Sequence, residues 1–403
     1  MSRIYRNIIL QTLEPMHKGF LTLTLPDGSV RTYGHQDNGQ HADVQIRSEA
    51  FFRRAVLYGD IGFAESYMDG DWETGDLTRL LSWFLLNIEH TPTLSGSRTK
   101  TFALNALQFL NRLFHVRRKN SITGSRKNIS EHYDLSNDFF CLFLDRTMTY
   151  SSAYFLHPDM DLEAAQQAKY ESLCQSLKLQ PGDHVLEIGT GWGGFAEYAA
   201  AHYPCRITTV TISKEQHAYA AERMRRMGLS DRVDVQLIDY RFIEGTYDKV
   251  VSIEMIEAVG AQYLDTYFRK IQHVLKPDGV LALQAIICPD SRFESFKKNV
   301  DFIQKHIFPG SLLPSIAAIN ESVNKTGDLF LFGLKDLGRS YVTTLETWRH
   351  RFNANVDQIK HMGFDDAFIR KWNYYFAYCE AAFGMRNINV VQMVYTRPNN
   401  YRY

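Results

Sequence analysis

The chain has few cysteines, and no pattern pairs them. Cys141, Cys174, Cys205, Cys288 and Cys379 are scattered through 403 residues without a CxxC spacing. An odd, dispersed set argues against a disulfide framework or a zinc site, predicts no metal centre, and fits a reducing cytoplasm. An excess of either charge is also missing. The 45 Lys+Arg balance 45 Asp+Glu, so no global field draws the protein to nucleic acid. Long apolar runs are lacking too: Leu80 to Ile88 is the longest, well short of the ~20 residues that span a bilayer. The start, Met1 to Leu10, has too short an apolar run for a signal peptide. A soluble or peripheral protein is expected. No internal repeat or long low-complexity segment appears.

Aromatic residues, by contrast, are plentiful at 13 %, with 26 Phe and 22 Tyr, which suits an apolar binding cavity or simply a large core. Residues 15–35 alternate apolar and polar around Gly19, Pro26-Asp-Gly28 and Gly34, predicting a small hairpin. From Ser48 to about Asn87 the pattern turns helical, interrupted at Asp69-Gly-Asp71. A small N-terminal α+β domain is therefore expected over 1–95, ending in the linker-like His90-Thr-Pro-Thr-Leu-Ser-Gly-Ser97. Over 96–130, Phe102, Leu107, Leu110 and Phe114 share one helical face, followed by Arg117, Arg118, Lys119, Arg126 and Lys127. No acidic residue stands between Glu89 and Glu131. This stretch reads either as a solvated basic loop beside a core helix or as a surface for anionic lipid headgroups.

Residues 131–403 read as the catalytic domain. Strands near 184–188, 206–211, 233–238, 248–253 and 279–286 alternate with helices near 193–203, 214–228 and 261–275. That alternation predicts an α/β fold with a parallel sheet covered on both faces. Residues 290–390, broken at Pro289, Pro309-Gly310, Pro314 and Gly338, are expected to form a helical cap over the carboxyl ends of the strands. Val390 to Tyr395 reads as a strand returning to the sheet.

The strand Val185-Leu-Glu-Ile188 runs into Gly189-Thr-Gly-Trp-Gly-Gly194 and then into a helix. Gly189, Gly191 and Gly194 also satisfy G-x-G-x-x-G, which leaves a dinucleotide and S-adenosylmethionine both open. A dinucleotide site needs an acid about twenty residues on for the ribose, and the strand there ends Thr208-Thr-Val-Thr-Ile-Ser213. Glu187, two residues before the first glycine, can instead order the turn and lie near a cationic methionine portion. S-adenosylmethionine is the expected cofactor.

With that pocket in place, further segments resemble the cyclopropane fatty acid synthases, including the mycolic acid cyclopropane synthases. They are His132-Tyr-Asp-Leu-Ser-Asn-Asp138, Tyr150-Ser-Ser-Ala-Tyr154, Leu186 to Gly194, Thr211 to Gln216 and Glu254-Met-Ile-Glu-Ala-Val-Gly260. Phe308-Pro-Gly-Ser-Leu-Leu-Pro314, Tyr341-Val-Thr-Thr-Leu345, Cys379 through Arg386 and Glu65-Ser-Tyr-Met-Asp-Gly-Asp-Trp72 extend the match over nearly the whole chain. The resemblance implies a class I, Rossmann-like S-adenosylmethionine-dependent methyltransferase fold with a helical lipid cap. It implies methyl transfer to the cis double bond of an acyl chain in a membrane phospholipid, at the inner membrane surface.

Carried over by position, cofactor contacts fall on Tyr150, Ser151, Glu187, Gly189, Gly191, Gly193, Thr211, Ile212, Gln216, Tyr240 and Arg241. Family members hold a bicarbonate ion beside the reacting alkene through a Cys, a Glu, a His, a backbone amide and a Tyr. Here those positions are Ser152, Glu257, Gln284, Ile286 and Tyr341, so two of the four side chains depart from the pattern. Cys379 matches a cysteine labelled catalytic in some members, although its apolar neighbours also suit a buried structural thiol. His132 reads as a supporting group or a packing histidine. A homodimer is compatible with the resemblance.

An alkene is a weak nucleophile and must meet the sulfonium methyl in a dry, aligned pocket. Methyl transfer leaves a carbocation, for which the rings of Tyr150, Tyr154 and Tyr341 are the expected stabilisers. Ring closure then needs a base: bicarbonate held by Glu257, or Glu257 itself. A poor base favours proton loss after a hydride shift and a methyl- or methylene-branched chain instead. An ordinary methyltransferase of a soluble metabolite and an acyl-chain binder with a vestigial cofactor site are the remaining alternatives.

Overall fold

A computed structural model describes residues 2–36, 39–90, 135–401 and 403. The amphipathic and basic stretch expected between 96 and 130, and His132, lie outside the described residues. Two compact units form, neither contiguous in sequence. The first gathers the described residues of 1–117 with 298–307 and 348–387. The second gathers those of 118–297 with 308–347 and 388–403.

In the first unit, β1 (Phe20–Thr24) and β2 (Val30–Gly34) pair antiparallel across the Pro26-Asp-Gly turn, where Gly28 takes a φ of 80°. β1 alternates, with Leu21 and Leu23 buried. It also pairs in parallel with β3 (His41–Ile46), and β4 (Trp72–Glu73) completes a sheet of order β2-β1-β3-β4. The hairpin was legible in the sequence; the parallel partner was not. Helix Ala50–Met68 bends at Gly59, whose φ is 59°. Helix Leu77–Leu86 starts where the Asp76 carboxylate accepts from the Arg79 amide at 2.9 Å, satisfying one orphan N–H of its first turn.

The long helix Asp366–Gly384 belongs to this unit. Its Arg370 pairs with Glu73 at 3.0 Å, and Glu380 accepts from the Thr78 hydroxyl at 3.1 Å. The Tyr374 ring lies 5.9 Å from that of Tyr67. A contiguous catalytic domain over 131–403 was expected, whereas residues 348–387 are grouped with the N-terminal elements. Local periodicity carries no information about which distant helix an apolar face will meet.

The second unit is built on seven strands: β5 (His184–Ile188), β6 (Arg206–Thr211), β7 (Val233–Leu237), β8 (Tyr247–Ile253), β9 (Leu275–Ile287), β10 (Phe330–Asp336) and β11 (Asn389–Thr396). Their order is β10-β11-β9-β8-β5-β6-β7. β5 to β9 run parallel, and β11 and β10 are added antiparallel. Covered on both faces, β5 is buried at every residue after His184 and β8 over Val250–Ser252, without alternation. Helices Gly194–His202, Lys214–Arg226 and Leu264–Val274 fall where the alternation predicts them. β10 is a strand within a stretch read as mainly helical; its buried pattern is weak because it sits at the sheet edge.

Candidate active site

The glycine turn after β5 is shaped by backbone conformations that other residues rarely take. Gly189, Gly191 and Gly193 have φ of 102°, 53° and 85°. They are not interchangeable. A Cβ on Gly193 would meet Met224 at 3.0 Å and Ala220 at 3.2 Å, so this glycine lets the turn close onto helix Lys214–Arg226. A Cβ on Gly191 would meet nothing within 4 Å. The turn is therefore packed on one side and open at Gly191, as a backbone that must approach a ligand requires.

Around it, Glu187 is buried and accepts from the Thr209 hydroxyl, and burial pushes its carboxyl up to about 8. Thr211 donates to the Gln216 side chain at 2.9 Å, and Ser213 caps the following helix. Ile212 stands between them, half-buried. After β7, Arg241 grips Asp239 at 2.8 and 2.6 Å and lies over the Tyr240 ring. Asp239 was not singled out from the sequence, yet it is the carboxylate that fixes this turn. An open glycine turn, a buried acid below it and polar groups at two neighbouring strand ends fit an S-adenosylmethionine molecule.

Ser151 and Ser152 are buried, and Tyr150 packs its ring 5.4 Å from Phe140 and 6.1 Å from Phe308. Helix Leu162–Leu177 runs beneath them with Gln166 and Lys169 on its buried face. The Gln166 amide donates to the Ser151 carbonyl at 3.0 Å, and the Lys169 ammonium to the Ser151 hydroxyl at 2.7 Å. Burial pushes Lys169 down, opposed by Glu254, Asp145 and Glu187. Neither residue was picked out in the sequence. The signal was there: a lysine and a glutamine inside the stripe Leu162, Ala165, Tyr170, Leu173.

The expected anion ligands do converge, but on a carboxylate of the chain itself. Glu254 Oε1 accepts from the Ser152 backbone amide at 2.9 Å and from the Gln284 side-chain amide at 2.8 Å. Its Oε2 accepts from the Tyr341 hydroxyl at 3.0 Å. Glu254 follows β8 at a φ of 48°, a left-handed conformation uncommon for a glutamate. The Ser152 hydroxyl donates to the Ala153 carbonyl instead of toward this cluster. Two readings of the sequence are thereby corrected. Glu257, expected to be the base or to hold it, has a second carboxylate beside it, and the donors expected to hold bicarbonate are turned onto that Glu254, so the ion does not fit this arrangement. The physical reason is that a tethered carboxylate presents the same two acceptor oxygens without the cost of capturing an ion.

Glu257 lies next to this carboxylate. The Ile286 amide donates to its Oε1, while its Oε2 is buried with no hydrogen-bond partner among the described residues. Burial and then the Glu254 charge push its carboxyl up to about 8, which favours its neutral form at neutral pH and makes it a poorer candidate for the base than Glu254. Burial on balance pushes Glu254 up as well, and Gln284, Lys169, Ser152 and Tyr341 offset part of that rise. Glu254 keeps some accessible surface, whereas Lys169 and Gln284 have none. The Tyr154 ring faces the Lys335 ammonium at 5.1 Å, which leaves Tyr150 and Tyr341 for a substrate cation. Cys379 belongs to the first unit, on helix Asp366–Gly384, where burial pushes its thiol well above the ordinary range. It stays protonated, and the chemistry below does not use it.

The strand order, the open turn and the acids at the strand ends define a class I S-adenosylmethionine-dependent methyltransferase. A family model described as mycolic acid cyclopropane synthetase matches residues 120–393, and the chain belongs to that family. It is 40 % identical over 362 residues to the tuberculostearic acid methyltransferase UfaA1 of Mycobacterium tuberculosis, covering 87 % of this chain and 82 % of that one. It is 36 % identical over 368 residues to the cyclopropane-fatty-acyl-phospholipid synthase of Escherichia coli, covering 88 % of each. Among solved structures, the mycolic acid cyclopropane synthase CmaA1 complexed with S-adenosylhomocysteine and CTAB superposes with a TM-score of 0.63 at 31 % identity. That likeness covers 68 % of this chain and 98 % of CmaA1. The family comprises lipid methyltransferases that cyclopropanate or branch their substrates.

Proposed function

We propose that this enzyme methylates the cis double bond of an unsaturated acyl chain in a membrane phospholipid and releases a methylene-branched product. The observation that carries the reading is the Glu254 carboxylate, held by Ser152, Gln284 and Tyr341 where a bicarbonate ion was expected. S-adenosylmethionine, when bound, supplies an electrophilic methyl group. The alkene π pair forms the new carbon–carbon bond as the methyl–sulfur bond breaks, leaving a cation on the neighbouring chain carbon. Glu254 provides the negative charge that stabilises it, and the Tyr150 and Tyr341 rings add their π faces.

Both Glu254 oxygens already accept hydrogen bonds, which occupies lone pairs that an incoming proton would take and slows the carboxylate as a base. A cation stabilised but not promptly deprotonated has time for a 1,2-hydride shift onto the charged carbon. Loss of a proton from the added methyl to Glu254 then leaves a methylene branch, a terminal C=CH2 on the chain. Similarity to the tuberculostearic acid methyltransferase supports a branched product. Similarity to the cyclopropane-fatty-acyl-phospholipid synthase favours the second reading, in which Glu254 removes that proton before the shift and closes the ring. No described helix is long and apolar enough to cross a membrane, and peripheral action at the cytoplasmic membrane surface is part of the proposal.

Vesicles of unsaturated phospholipid incubated with the enzyme and S-adenosylmethionine provide the test. Proton NMR of the product lipid is expected to show the vinylic signals of a C=CH2 branch, and cyclopropane resonances would overturn the branched assignment. Glu254→Gln should lower kcat by roughly a hundredfold, the scale seen when one preorganised electrostatic contact is removed. Glu254→Gly relieves the left-handed strain and frees the three donors. With added bicarbonate it is expected to shift the product toward the cyclopropane.

A further inference from the structure

A row of polar side chains crosses the otherwise apolar sheet of the second unit, from its edge to Glu254. Lys335 on β10 stands opposite Gln392 on β11, and Gln392 stands opposite Gln284 on β9. The register therefore places all three in one line perpendicular to the strands. Gln392 and Gln284 are buried, as is Ser172 on helix Leu162–Leu177 above them, while Lys335 is exposed. Buried amides in a sheet core are costly unless each polar atom is satisfied, and here they are joined end to end.

The Lys335 ammonium donates to the Ser172 hydroxyl at 2.8 Å, and Ser172 donates to Gln392 Oε1 at 2.7 Å. Gln392 Nε2 donates to Gln284 Oε1 at 3.0 Å, and Gln284 Nε2 donates to Glu254 Oε1 at 2.8 Å. The direction of the chain is forced at both ends. An ammonium has donors only, and a carboxylate accepts only. Reversing either amide would set two donors or two acceptors face to face.

We propose that Lys335, Ser172 and Gln392 are positioning residues for methyl transfer, locking the Gln284 amide with its N–H on the Glu254 carboxylate. The inference rests on the assignment of Glu254 to the reacting centre. None of the three touches that carboxylate. They act by fixing the orientation of Gln284 and by polarising the row, with a positive charge at the far end. The other groups facing Glu254 are the Ser152 backbone amide, Lys169 from helix Leu162–Leu177, Glu257 from the same turn and Tyr341 from helix Gly338–Ala354. All of these stay unchanged in the variants below.

The test compares Lys335→Met, Lys335→Arg and Ser172→Ala with the parent on unsaturated phospholipid vesicles across the pH range. Lys335→Met and Ser172→Ala are expected to lower kcat about three- to tenfold, with the KM for lipid within about twofold. They should also move the acid limb of kcat upward by about half a pH unit, because a carboxylate that loses a polarised donor holds its proton more tightly. Lys335→Arg, which restores charge and donors, should recover both. Lys335 is exposed, so its replacement leaves the core packed even if Ser172→Ala folds poorly. A lowered melting temperature with an unmoved acid limb would reduce the row to a structural tether and overturn the proposal. Glu254→Gln separates the two claims. If it retains the parent rate, the Glu254 assignment fails; if it is impaired while Lys335→Met matches the parent, only the row fails.

Discussion

Glu257 shows how an environment sets the role of a residue. Its ordinary carboxyl value is 4.5, and burial beside Glu254 lifts it to about 8 in the folded protein. A group raised on folding contributes stability that is fully present below the unfolded value and is lost as pH rises through the folded one. In the parent, this contribution declines between about pH 4.5 and pH 8. Glu257→Gln removes the titration, so the variant should gain on the parent as pH rises across that window. Each unit of pH there is worth up to about 1.4 kcal/mol. Urea unfolding at about pH 5 and pH 8 measures the difference, and a constant offset at both would show that Glu257 titrates normally. The Glu-x-x-Glu spacing was visible in the sequence. Which carboxylate receives the donors was not, because Ser152, Gln284 and Tyr341 come from distant parts of the chain.

At the scale of an element, the glycine turn separates folding from ligand contact. Gly193→Ala places a methyl against Met224 and Ala220 at a φ of 85° and should cost about 1–3 kcal/mol of stability. Gly191→Val adds a Cβ that meets no atom within 4 Å, on the open side of the turn, with the φ of 53° as its only evident strain. It should cost less stability than Gly193→Ala while abolishing S-adenosylmethionine binding by calorimetry. If Gly191→Val binds normally, the open side of the turn is not where the cofactor lies. The turn, its strand and its helix were all legible, because a buried parallel strand, a glycine cluster and an amphipathic helix are local patterns. β10 was not, since the apolar run Phe330-Leu-Phe-Gly-Leu334 lies in an edge strand with five of its seven residues exposed and shows neither a helical nor a polar–apolar two-residue period.

At the scale of the whole molecule, segments far apart in sequence share one core. Glu380, nearly buried on helix Asp366–Gly384, accepts from Arg349 at 3.1 Å and from Thr78 at 3.1 Å. Glu380→Ala leaves the Arg349 guanidinium, itself about one-fifth exposed, short of a charged acceptor and should cost about 2–4 kcal/mol. Denaturation followed by a fluorophore in the first unit reads this out, and an unchanged midpoint would show that the two segments fold independently.

What the sequence by itself determined is the βαβ order, the glycine turn, the cofactor class and the family of reactions, because each is written in neighbouring residues or in motifs of fixed spacing. Only the tertiary structure decided that Ser152, Gln284 and Tyr341 converge on Glu254, that Glu257 is buried beside it, and that residues 348–387 join the N-terminal elements. Those outcomes depend on strand register and on which buried donors face which acceptors, and both are set by contacts between residues tens to hundreds of positions apart.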